Sequence, residues 1–386
     1  MKLKKLFVAL IFGACCCSPK NDGSVSIVDV GSNKMVSVSL NNLNSKTATV
    51  PLSSLVENCD LIQLESDEEA LFYTGCTKVT DNYIGIRQFS RKPYMLFDRS
   101  GKFLCKVGAI GQGPGEYAYP PYDDIIDEKN GLIYLAPFRG DKILVYDTSG
   151  KFLRNIVAPE RLNKAKIFLN DNVLTVVHLA FEDTKSMVLQ LDVNTGEVLN
   201  ELPVPAHFIV DGFEHEIYDS RNVSGTFDFL RTLSDTLYHI DLKNVTLIPV
   251  FTVKYSSSEY LWKLCLELNK DLVLTNLQSI VNRKFVSFAI AATDLKNKTS
   301  SYINIVNDYF GNLPLPPSIF NFYNGYFVHN IQPEQLMEDI ENHLAGSSCT
   351  ENDRQALKKL LSTLEEGTNN VVFIGKLKSE VKGKMW

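Results

Sequence analysis

The chain contains one pattern twice, MLFDRSGKFLCKV at residues 95–107 and ILVYDTSGKFLRNIV at residues 143–157. In each copy an apolar run ends at an aspartate, two polar residues follow, and Gly-Lys-Phe-Leu begins a second apolar run. Short apolar runs joined in this way are typical of β-hairpins. We expect the aspartate to accept hydrogen bonds from the turn amides and the glycine to take a positive φ. The predicted turn residues are Asp98 and Gly101 in the first copy, and Asp147 and Gly150 in the second.

The aspartates that end the third strand of each predicted unit recur at nearly constant intervals. They are Asp98, Asp147, Asp192, Asp241 and Asp294, with separations of 49, 45, 49 and 53 residues. Four-stranded units with a period of about 40–50 residues are typical of β-propeller blades. The pattern therefore predicts an all-β fold built from blades.

The number of blades follows from the two ends of the repeat. Five units, of which the first three show four strands each, are followed by three strands, at 319–323, 326–330 and 371–377, that lack a fourth. The strand CDLIQLE, at 59–65, has no partner near it in the sequence. Pairing it with the last strand closes the ring and removes two exposed strand edges. The sequence thus predicts a six-bladed β-propeller in which an N-terminal strand closes the last blade.

One insertion interrupts the sixth unit at residues 333–366. It begins with Pro333, a residue favoured at the first helical position. Thr350 and Asp353 resemble a capping box at the start of a second helix. One face of that helix would carry Leu357, Leu360, Leu361 and Leu364. We expect a small α-helical insertion in blade six that projects from one face of the ring, either as a packed cap or as a docking surface.

The first residues have the pattern of a sorting signal. Three lysines precede the apolar run 6–12, which is too short to span a bilayer. Gly13 and Ala14 then precede Cys15, which resembles the lipobox of bacterial lipoproteins, whose cysteine is lipidated. Phe12 stands where leucine is usual, so Cys16 remains an alternative, and the choice among the three adjacent cysteines stays open. The predicted organisation is a signal peptide at 1–14, a lipidated cysteine and tether at 15–50, and the propeller at 51–386.

Charge and cysteine content exclude several classes of protein. The net charge is −6, and it becomes −9 without the three lysines of residues 1–14. A mildly acidic chain without a basic run argues against a nucleic-acid partner. The five later cysteines are widely spaced and form no C-x-x-C pair, so neither a disulfide framework nor a structural zinc site is indicated.

A glycine-rich segment carries a family resemblance. Gly111, Gly113 and Gly115 precede Glu116 and Tyr117, and together with the later segments IYL at 133–135 and YD at 146–147 they resemble an NHL-type propeller repeat. With the lipobox, the chain resembles the six-bladed β-propeller lipoproteins of Bacteroidota (NHL-repeat or TolB-like). The resemblance implies a lipid-anchored protein of the cell envelope, at the outer membrane, without naming a chemistry. It departs from the NHL pattern at 136–140, where an Asp-rich turn is usual.

We interpret the same three glycines as a linker between blades. A phosphate-binding loop would need a following Lys-Ser/Thr pair and a helix, and Pro114 removes one amide that such a loop requires.

The sequence contains few signals for catalysis. Its six histidines form no H-x-x-x-H or H-x-H pair, and no serine lies in G-x-S-x-G. We therefore predict no metal and no cofactor. The pair Asp123 and Asp124 resembles the carboxylates of a glycosidase, but adjacent residues on a strand point to opposite faces, so at most one would face the channel.

The remaining candidates are aromatic and basic residues near the rim of the ring. Tyr117, Tyr119 and Arg139 are the predicted binding residues, although packing between blades needs the same residue types. The favoured function is a binding or scaffold module in the envelope, without enzymatic activity, that engages a protein partner or a glycan. The alternative is a hydrolase or lyase acting on a saccharide or peptide at the channel mouth. Three or more converging acidic or histidine side chains would favour the enzyme, and an aromatic rim would favour binding.

Overall fold

Six antiparallel sheets form the blades of a β-propeller. The structure is a computed structural model that describes residues 23–380, except positions 42, 44, 45, 74, 90, 257–260, 282, 283 and 348. The chain begins with four strands that join blades formed much later: β1 Val25–Val30, β2 Asn33–Ser39, β3 Ala48–Pro51 and β4 Asp60–Gln63.

The first three blades are formed in chain order, with four strands each. Blade one contains β5 Gly75–Val79, β6 Tyr83–Gln88, β7 Tyr94–Asp98 and β8 Phe103–Val107. The short strands β9 Ala109–Ile110 and β10 Glu116–Tyr117 pair in the connection that follows. Blade two contains β11 Asp123–Asp127, β12 Leu132–Ala136, β13 Arg139–Asp147 and β14 Phe152–Asn163. Blade three contains β15 Lys166–Asn170, β16 Val173–Val177, β17 Ser186–Asp192 and β18 Val198–Pro203.

The last three blades incorporate the N-terminal strands. Blade four contains β19 Ile217–Tyr218, β20 Phe227–Arg231, β21 Thr236–Asp241 and β22 Thr246–Lys254, and β2 and β1 extend it outward. Blade five contains β23 Leu261–Asn269, β24 Leu272–Val281, β25 Lys284–Asp294, β26 Thr299–Asn307 and β27 Leu313–Pro314, and β3 pairs with β26. Blade six contains β28 Phe322–Tyr323, β29 Tyr326–Ile331, β30 Val371–Lys376 and β4.

The burial pattern follows from the stacking of blades around the axis. Inner strands lie between neighbouring blades and are buried on both faces, so Met95, Leu96 and Phe97 of β7 are at most 1% exposed. Outer strands alternate, and in β14 the exposed Leu153 is followed two residues later by the exposed Asn155. The core is therefore distributed between blades rather than gathered at one centre.

The repeated turns have the geometry that Asp-x-x-Gly requires. The carboxylate of Asp98 accepts hydrogen bonds from the amides of Ser100 at 2.8 Å and Lys102 at 3.1 Å. Asp147 accepts the corresponding two bonds, at 2.9 and 3.0 Å. Gly101 has a φ of +91° and Gly150 one of +81°.

Gly101 also lies against the strand that closes the ring. A Cβ at this position would be 2.2 Å from the carbonyl oxygen of Gln63 in β4, whereas a Cβ at Gly131, whose φ is +65°, would meet nothing within 4 Å. We expect Gly131→Ala to lower the free energy of unfolding by about 1–2 kcal/mol through backbone strain alone. Gly101→Ala should lower it by about 2–3 kcal/mol, because β4 must also move. Urea unfolding of the two variants measures the difference, and equal losses would contradict this contact.

The closing strand is paired as predicted. β4 runs antiparallel to β30, with Leu61 opposite Phe373. Just after β4, the amide of Glu65 donates to the carbonyl of Gly101 at 2.8 Å and its carboxylate accepts from the amide of Phe103 at 2.7 Å. The predicted six-bladed ring with an N-terminal closing strand is therefore confirmed, and β4 also joins blade six to blade one.

The predicted tether at 15–50 needs correction over its described part. β2 pairs in parallel with β22, and β3 pairs in parallel with β26, so the chain from Val25 onward belongs to the propeller. Val38 and Leu40 are at most 1% exposed. The many serines and asparagines hid a period-two apolar pattern in this segment. The predicted signal peptide at 1–14 and the candidate lipidated cysteines, Cys15 and Cys16, lie outside the described residues.

The helical insertion forms two helices between β29 and β30. They are α1 Pro333–Ala345 and α2 Glu351–Leu361. Thr350 and Asp353 form the capping box, with reciprocal bonds of 3.2 and 3.1 Å between side chain and backbone. Leu336, Ile340 and Leu357 are fully buried, so both helices pack on the propeller. Among the described residues, neither helix has the length and apolar character needed to cross a bilayer.

Candidate functional site

The two faces of the ring differ in what they expose. We call top face the side that carries the connections between second and third strands and those between successive blades; the bottom face carries the other turns. Every exposed aromatic side chain of the described residues lies in a top-face connection. These residues are Tyr73, Phe89, Tyr119, Phe213, Tyr309 and Phe320. The helices α1 and α2 leave the ring on the same side, between the second and third strands of blade six.

A row of four rings follows the top face above blades two to four. We call aromatic rim the side chains of Tyr119, Phe138, Phe213 and Phe181. Ring centroids are 6.2 Å apart between Tyr119 and Phe138, 6.4 Å between Phe138 and Phe213, and 4.7 Å between Phe213 and Phe181. Tyr119 is 57% exposed and Phe213 37% exposed, so two rings present free surface to solvent.

Two arginines lie over the exposed rings. The guanidinium of Arg91 is 5.7 Å from the Tyr119 ring, and that of Arg139 is 5.3 Å from the Phe213 ring. Such contacts hold a cation beside an aromatic face. Within the described part of the chain, no carboxylate oxygen lies within 4 Å of either guanidinium. Arg91 donates to the carbonyl of Ala118 at 3.1 Å, so Arg139 is the one of the two that is better placed to meet an anionic ligand.

A cavity of about 170 Å³ opens beside the rim. All three predicted binding residues line it, Tyr117, Tyr119 and Arg139. Tyr117, however, is only 9% exposed, and its hydroxyl donates to the carbonyl of Val107 and accepts from the amide of Tyr94, both at 2.8 Å. Burial raises the pKa of Tyr117 to about 12. The structure thus places Tyr117 in packing between blades, and leaves Tyr119 and Arg139 accessible.

The glycine-rich connection wraps around one acidic side chain. The carboxylate of Glu116 accepts from the amide of Gly113 at 2.8 Å, and a Cβ at Gly111 would be 1.9 Å from the same carboxylate. Gly115 has a φ of +73°, and its carbonyl accepts from the hydroxyl of Tyr146 at 3.0 Å. In the structure this segment connects blade one to blade two.

Beneath the aromatic rim, the channel is filled by buried charged side chains that the sequence did not single out as a unit. We call channel network the side chains Lys78, Arg87, Asp123, Asp124, Lys166, Asp219, Arg221 and Tyr323. Five of the members lie in the innermost strand of a blade: Lys78, Asp123, Asp124, Lys166 and Tyr323. Arg87 lies in β6, and Asp219 and Arg221 follow β19. Blades one, two, three, four and six contribute, so the network joins five of the six blades.

Asp123 is the centre of this network and is fully buried. One carboxylate oxygen accepts from Lys78 Nζ at 2.5 Å, and the other accepts from Arg221 Nη2 at 2.5 Å and from the amide of Ile167 at 2.9 Å. Burial alone would raise the pKa of Asp123, but the adjacent Arg221 and Lys78 outweigh it and lower that pKa. Asp123 therefore stays ionised and joins blades one, two, three and four.

Asp219 is held in the same way and shares Arg221 and Lys166 with Asp123. It lies 2.7 Å from Arg221 Nε and 3.0 Å from Lys166 Nζ, and it accepts from the hydroxyl of Tyr323 at 3.0 Å. Burial opposes its ionisation, yet Arg221 and Lys166 lower its pKa. The carboxylates of Asp123 and Asp219 each contact two or more partners, which is the condition under which buried ion pairs are stable.

The second aspartate of the pair is also buried, at 1% exposure. Asp124 accepts from the hydroxyl of Tyr94 at 2.9 Å and lies 3.5 Å from Lys78 Nζ and 3.7 Å from Arg87 Nε. Three carboxylates therefore converge in the channel, the arrangement that we expected of an enzyme. Each is covered by cations and buried, however, so none is placed to donate or accept a proton at a substrate.

Another buried lysine, Lys164, holds the loop that carries Phe213. Lys164 has a φ of +48° and a side chain that is 4% exposed. Its Nζ donates to the carbonyls of Phe213 at 2.5 Å and His215 at 2.9 Å, and it pairs with Glu216, which also accepts from the hydroxyl of Tyr122. No local motif indicates these contacts, because 49 residues separate Lys164 from Phe213.

One histidine has acidic neighbours on this loop, although the sequence predicts no metal site. His215 Nε2 lies 3.7 Å from a carboxylate oxygen of Asp211 and 3.8 Å from one of Glu214. Both carboxylates are largely exposed to solvent, with 98% of the Asp211 side-chain surface and 71% of the Glu214 side-chain surface accessible. The trio therefore does not define a metal site by itself.

Comparison with known proteins gives a family and a fold. A family model described as "Domain of unknown function (DUF4934)" matches residues 35–376. No curated protein matches the chain by sequence. A solved structure, described as a "Putative exported protein" from Bacteroides fragilis, is similar with a TM-score of 0.60 and 16% identity, over 89% of this chain and 100% of that one. A member of the DUF4221 family from Bacteroides vulgatus is similar with a TM-score of 0.48 and 14% identity, over 84% of this chain and 98% of that one. At 16% identity the first likeness shows the propeller fold alone.

Proposed function

We propose that this chain, which belongs to the DUF4934 family of domains of unknown function, is a lipid-anchored envelope protein whose top face binds a protein partner or a glycan. One observation supports this most directly: all exposed aromatic side chains of the described residues lie on one face. Exposed apolar surface concentrated in this way marks interaction sites, and aromatic and arginine side chains supply most of the binding energy there.

The channel network favours binding over catalysis. A hydrolase or lyase at the channel mouth remains the alternative, because Asp123, Asp124 and Asp219 converge there. A general acid or base needs an open path to its substrate and a proton that it can exchange. The two aspartates at the centre, Asp123 and Asp219, instead hold cations from three blades, which is a structural role.

The position of the first strand sets the distance to the membrane. β1 begins at Val25 on the outer edge of blade four. A lipid on Cys15 would be joined to it by residues 16–24, which span at most about 30 Å when fully extended. The lipid anchor would then be attached at the perimeter of the ring and would hold the ring close to the outer membrane. The top face would remain accessible to a partner. Replacing Cys15 or Cys16 with serine and measuring acyl labelling identifies which of them carries the lipid.

The proposed binding face can be tested by placing a photoreactive benzoylphenylalanine at single positions of the full-length protein in cells. We expect covalent adducts from position 119 on the aromatic rim and none from position 153 on the outer strand of blade two. Leu153 is a matched control because it is also exposed, at 45%, yet lies on the perimeter. Adducts from both positions, or from position 153 only, would contradict a top-face site.

Binding should also depend on the rings themselves. For a ligand identified by cross-linking or on a glycan panel, we expect the double change Tyr119→Ser and Phe213→Ser to weaken affinity tenfold or more, since exposed aromatic anchors dominate such sites. The control Leu153→Ser with Val157→Ser removes similar apolar area from the perimeter and should leave affinity unchanged. Equal affinity of the rim variant and the unaltered protein would refute the assignment.

A further inference from the structure

We propose that the aromatic rim binds an acidic saccharide, with a sugar carboxylate on Arg139 and the sugar ring on Tyr119 and Phe138. This inference deepens the proposed binding function and rests on it. Three observations carry it: the size of the cavity, the exposed Arg139 at its edge, and the excess of cations over carboxylates in the ion pairs of the channel network.

The cavity beside the rim is sized for one ring. Its volume is about 170 Å³, and Tyr119, Pro121, Phe138 and Arg139 are among its lining residues. Pockets for drug-sized ligands are larger, roughly 300–1,000 Å³. The exposed Tyr119 ring and the Phe138 ring, 6.2 Å away and tilted by 45° to it, offer two apolar surfaces at its mouth.

Arg139 at the edge of the cavity is placed to pair with an anion. Arg139 is exposed, lies over the Phe213 ring, and has no carboxylate within 4 Å among the described residues. A guanidinium matches a carboxylate in a bidentate, charge-assisted pair. Two acidic residues line the same cavity, but Glu116 is turned toward the amide of Gly113 and Asp141 is exposed to solvent.

The channel network supplies a positive potential under this site. Its ion pairs contain the four cations Lys78, Arg87, Lys166 and Arg221, but only the three carboxylates Asp123, Asp124 and Asp219. The carboxylate of the nearby Asp228 accepts from the hydroxyl of Ser220 and from the amide of Arg221 rather than from one of these four cations. Counted over its own ion pairs, the network thus has one more cation than carboxylates, within a protein whose net charge is −6.

Arg87 connects this charge to the cavity wall. Its Nη1 donates to the carbonyl of Pro121 at 3.2 Å, and Pro121 lines the cavity. The Nε of Arg87 is buried and has no hydrogen-bond partner among the described residues. An anion in the cavity is thus attracted both by Arg139 in front of it and by the network behind it.

The small size of the site favours an acidic sugar over an acidic peptide. Tyr119, Phe138 and Arg139 all line the same cavity of about 170 Å³, so a positive charge and ring surfaces lie within one small site. A uronic acid carries its carboxylate on the sugar ring and so offers both groups within one residue. A peptide carries its charge and its rings on separate flexible side chains, and ordering them opposes binding.

The test uses the full-length protein in detergent and measures affinity by calorimetry for tetramers of galacturonic, mannuronic and glucuronic acid and their neutral methyl esters. We expect at least one acid to bind, with its ester about tenfold weaker or more, and with affinity falling as salt rises. Arg139→Gln should weaken the acid about tenfold and leave the ester unchanged. Lys129→Gln is the control, because it removes the same charge from an exposed position on the bottom face.

Each other outcome overturns the inference. Equal affinity for acid and ester would show sugar binding without charge recognition, and the proposed binding function would stand. Binding of an acidic, tyrosine-containing peptide, with no affinity for any saccharide, would assign the rim to a protein partner instead. Affinity for the acids that survives Arg139→Gln would exclude this site while leaving the rest of the top face as a candidate.

Discussion

Replacing Asp123 with alanine is expected to lower the free energy of unfolding by about 3–5 kcal/mol, as measured by urea denaturation. The carboxylate is fully buried and holds Lys78 and Arg221 at 2.5 Å each. Without it, Lys166 and Arg221 retain only Asp219, and Lys78 retains only Asp124 at 3.5 Å. The loss comes from these uncompensated buried charges more than from the bonds themselves.

Two further variants distinguish the loss of this buried carboxylate from the loss of any carboxylate. Asp211→Ala removes a carboxylate that is 98% exposed and should change stability by about 0.5 kcal/mol or less. Adding Lys78→Met to Asp123→Ala removes one of the buried cations that lost its carboxylate partner, and it should restore part of the lost stability. If the double variant is less stable than the sum of the two single changes, the charge argument fails.

The same network predicts how stability depends on pH. The pKa values of Asp123 and Asp219 are lower in the folded protein than in the unfolded chain, because Arg221 and its neighbouring lysines outweigh the effect of burial. Their contribution is therefore present above the unfolded pKa, about 3.9, and is lost as pH falls through the folded values. We expect a steep loss of stability below about pH 4, and a shallower one in Asp123→Asn. If the free energy of unfolding falls equally steeply with pH in the two proteins, this assignment is contradicted.

Much of the fold could be predicted because it depends on local signals. The Asp-x-x-Gly turns recur with the period of the blades, and the unpartnered strands at the two ends imply closure. β1, β2 and β3 were missed for a physical reason. They pair in the outer part of blades four and five, so serine and threonine residues stand beside the buried Val38 and Val50 and weaken the apolar signal.

The candidate site was predicted only in part. Tyr119 was found because aromatic side chains near a blade connection point to a rim, and Arg139 lies in a turn between two strands of blade two. The channel network was not found, since Asp123 lies 45 residues from Lys78 and 98 from Arg221 and meets them only when the ring closes. A signal does exist: Lys78, Asp123 and Lys166 each lie in the innermost strand of a blade, where a charged residue is buried and must be paired.

Closure of the ring should depend on individual backbone bonds of β4. Leu64, just after β4, donates its amide to the carbonyl of Asn370 at 3.1 Å. Bonding alternates along an antiparallel ladder, so the amide of Ile62 points to Val372 in the same way, and that of Leu61 points away from β30. Ile62→Pro therefore removes a ladder bond and leaves the buried Val372 carbonyl unpaired, whereas Leu61→Pro does not.

We expect Ile62→Pro to lower the free energy of unfolding by about 2–4 kcal/mol, of which the unpaired carbonyl alone accounts for roughly 1–3 kcal/mol. Leu61→Pro should lower it by clearly less, because an edge strand tolerates proline where its amide faces outward. Hydrogen exchange of β30 amides reports on the same event, since opening of β4 exposes the edge of blade six. Faster exchange confined to blades one and six in Ile62→Pro is the expected pattern. Equal stability losses in the two variants would mean that β4 does not hold the ring closed.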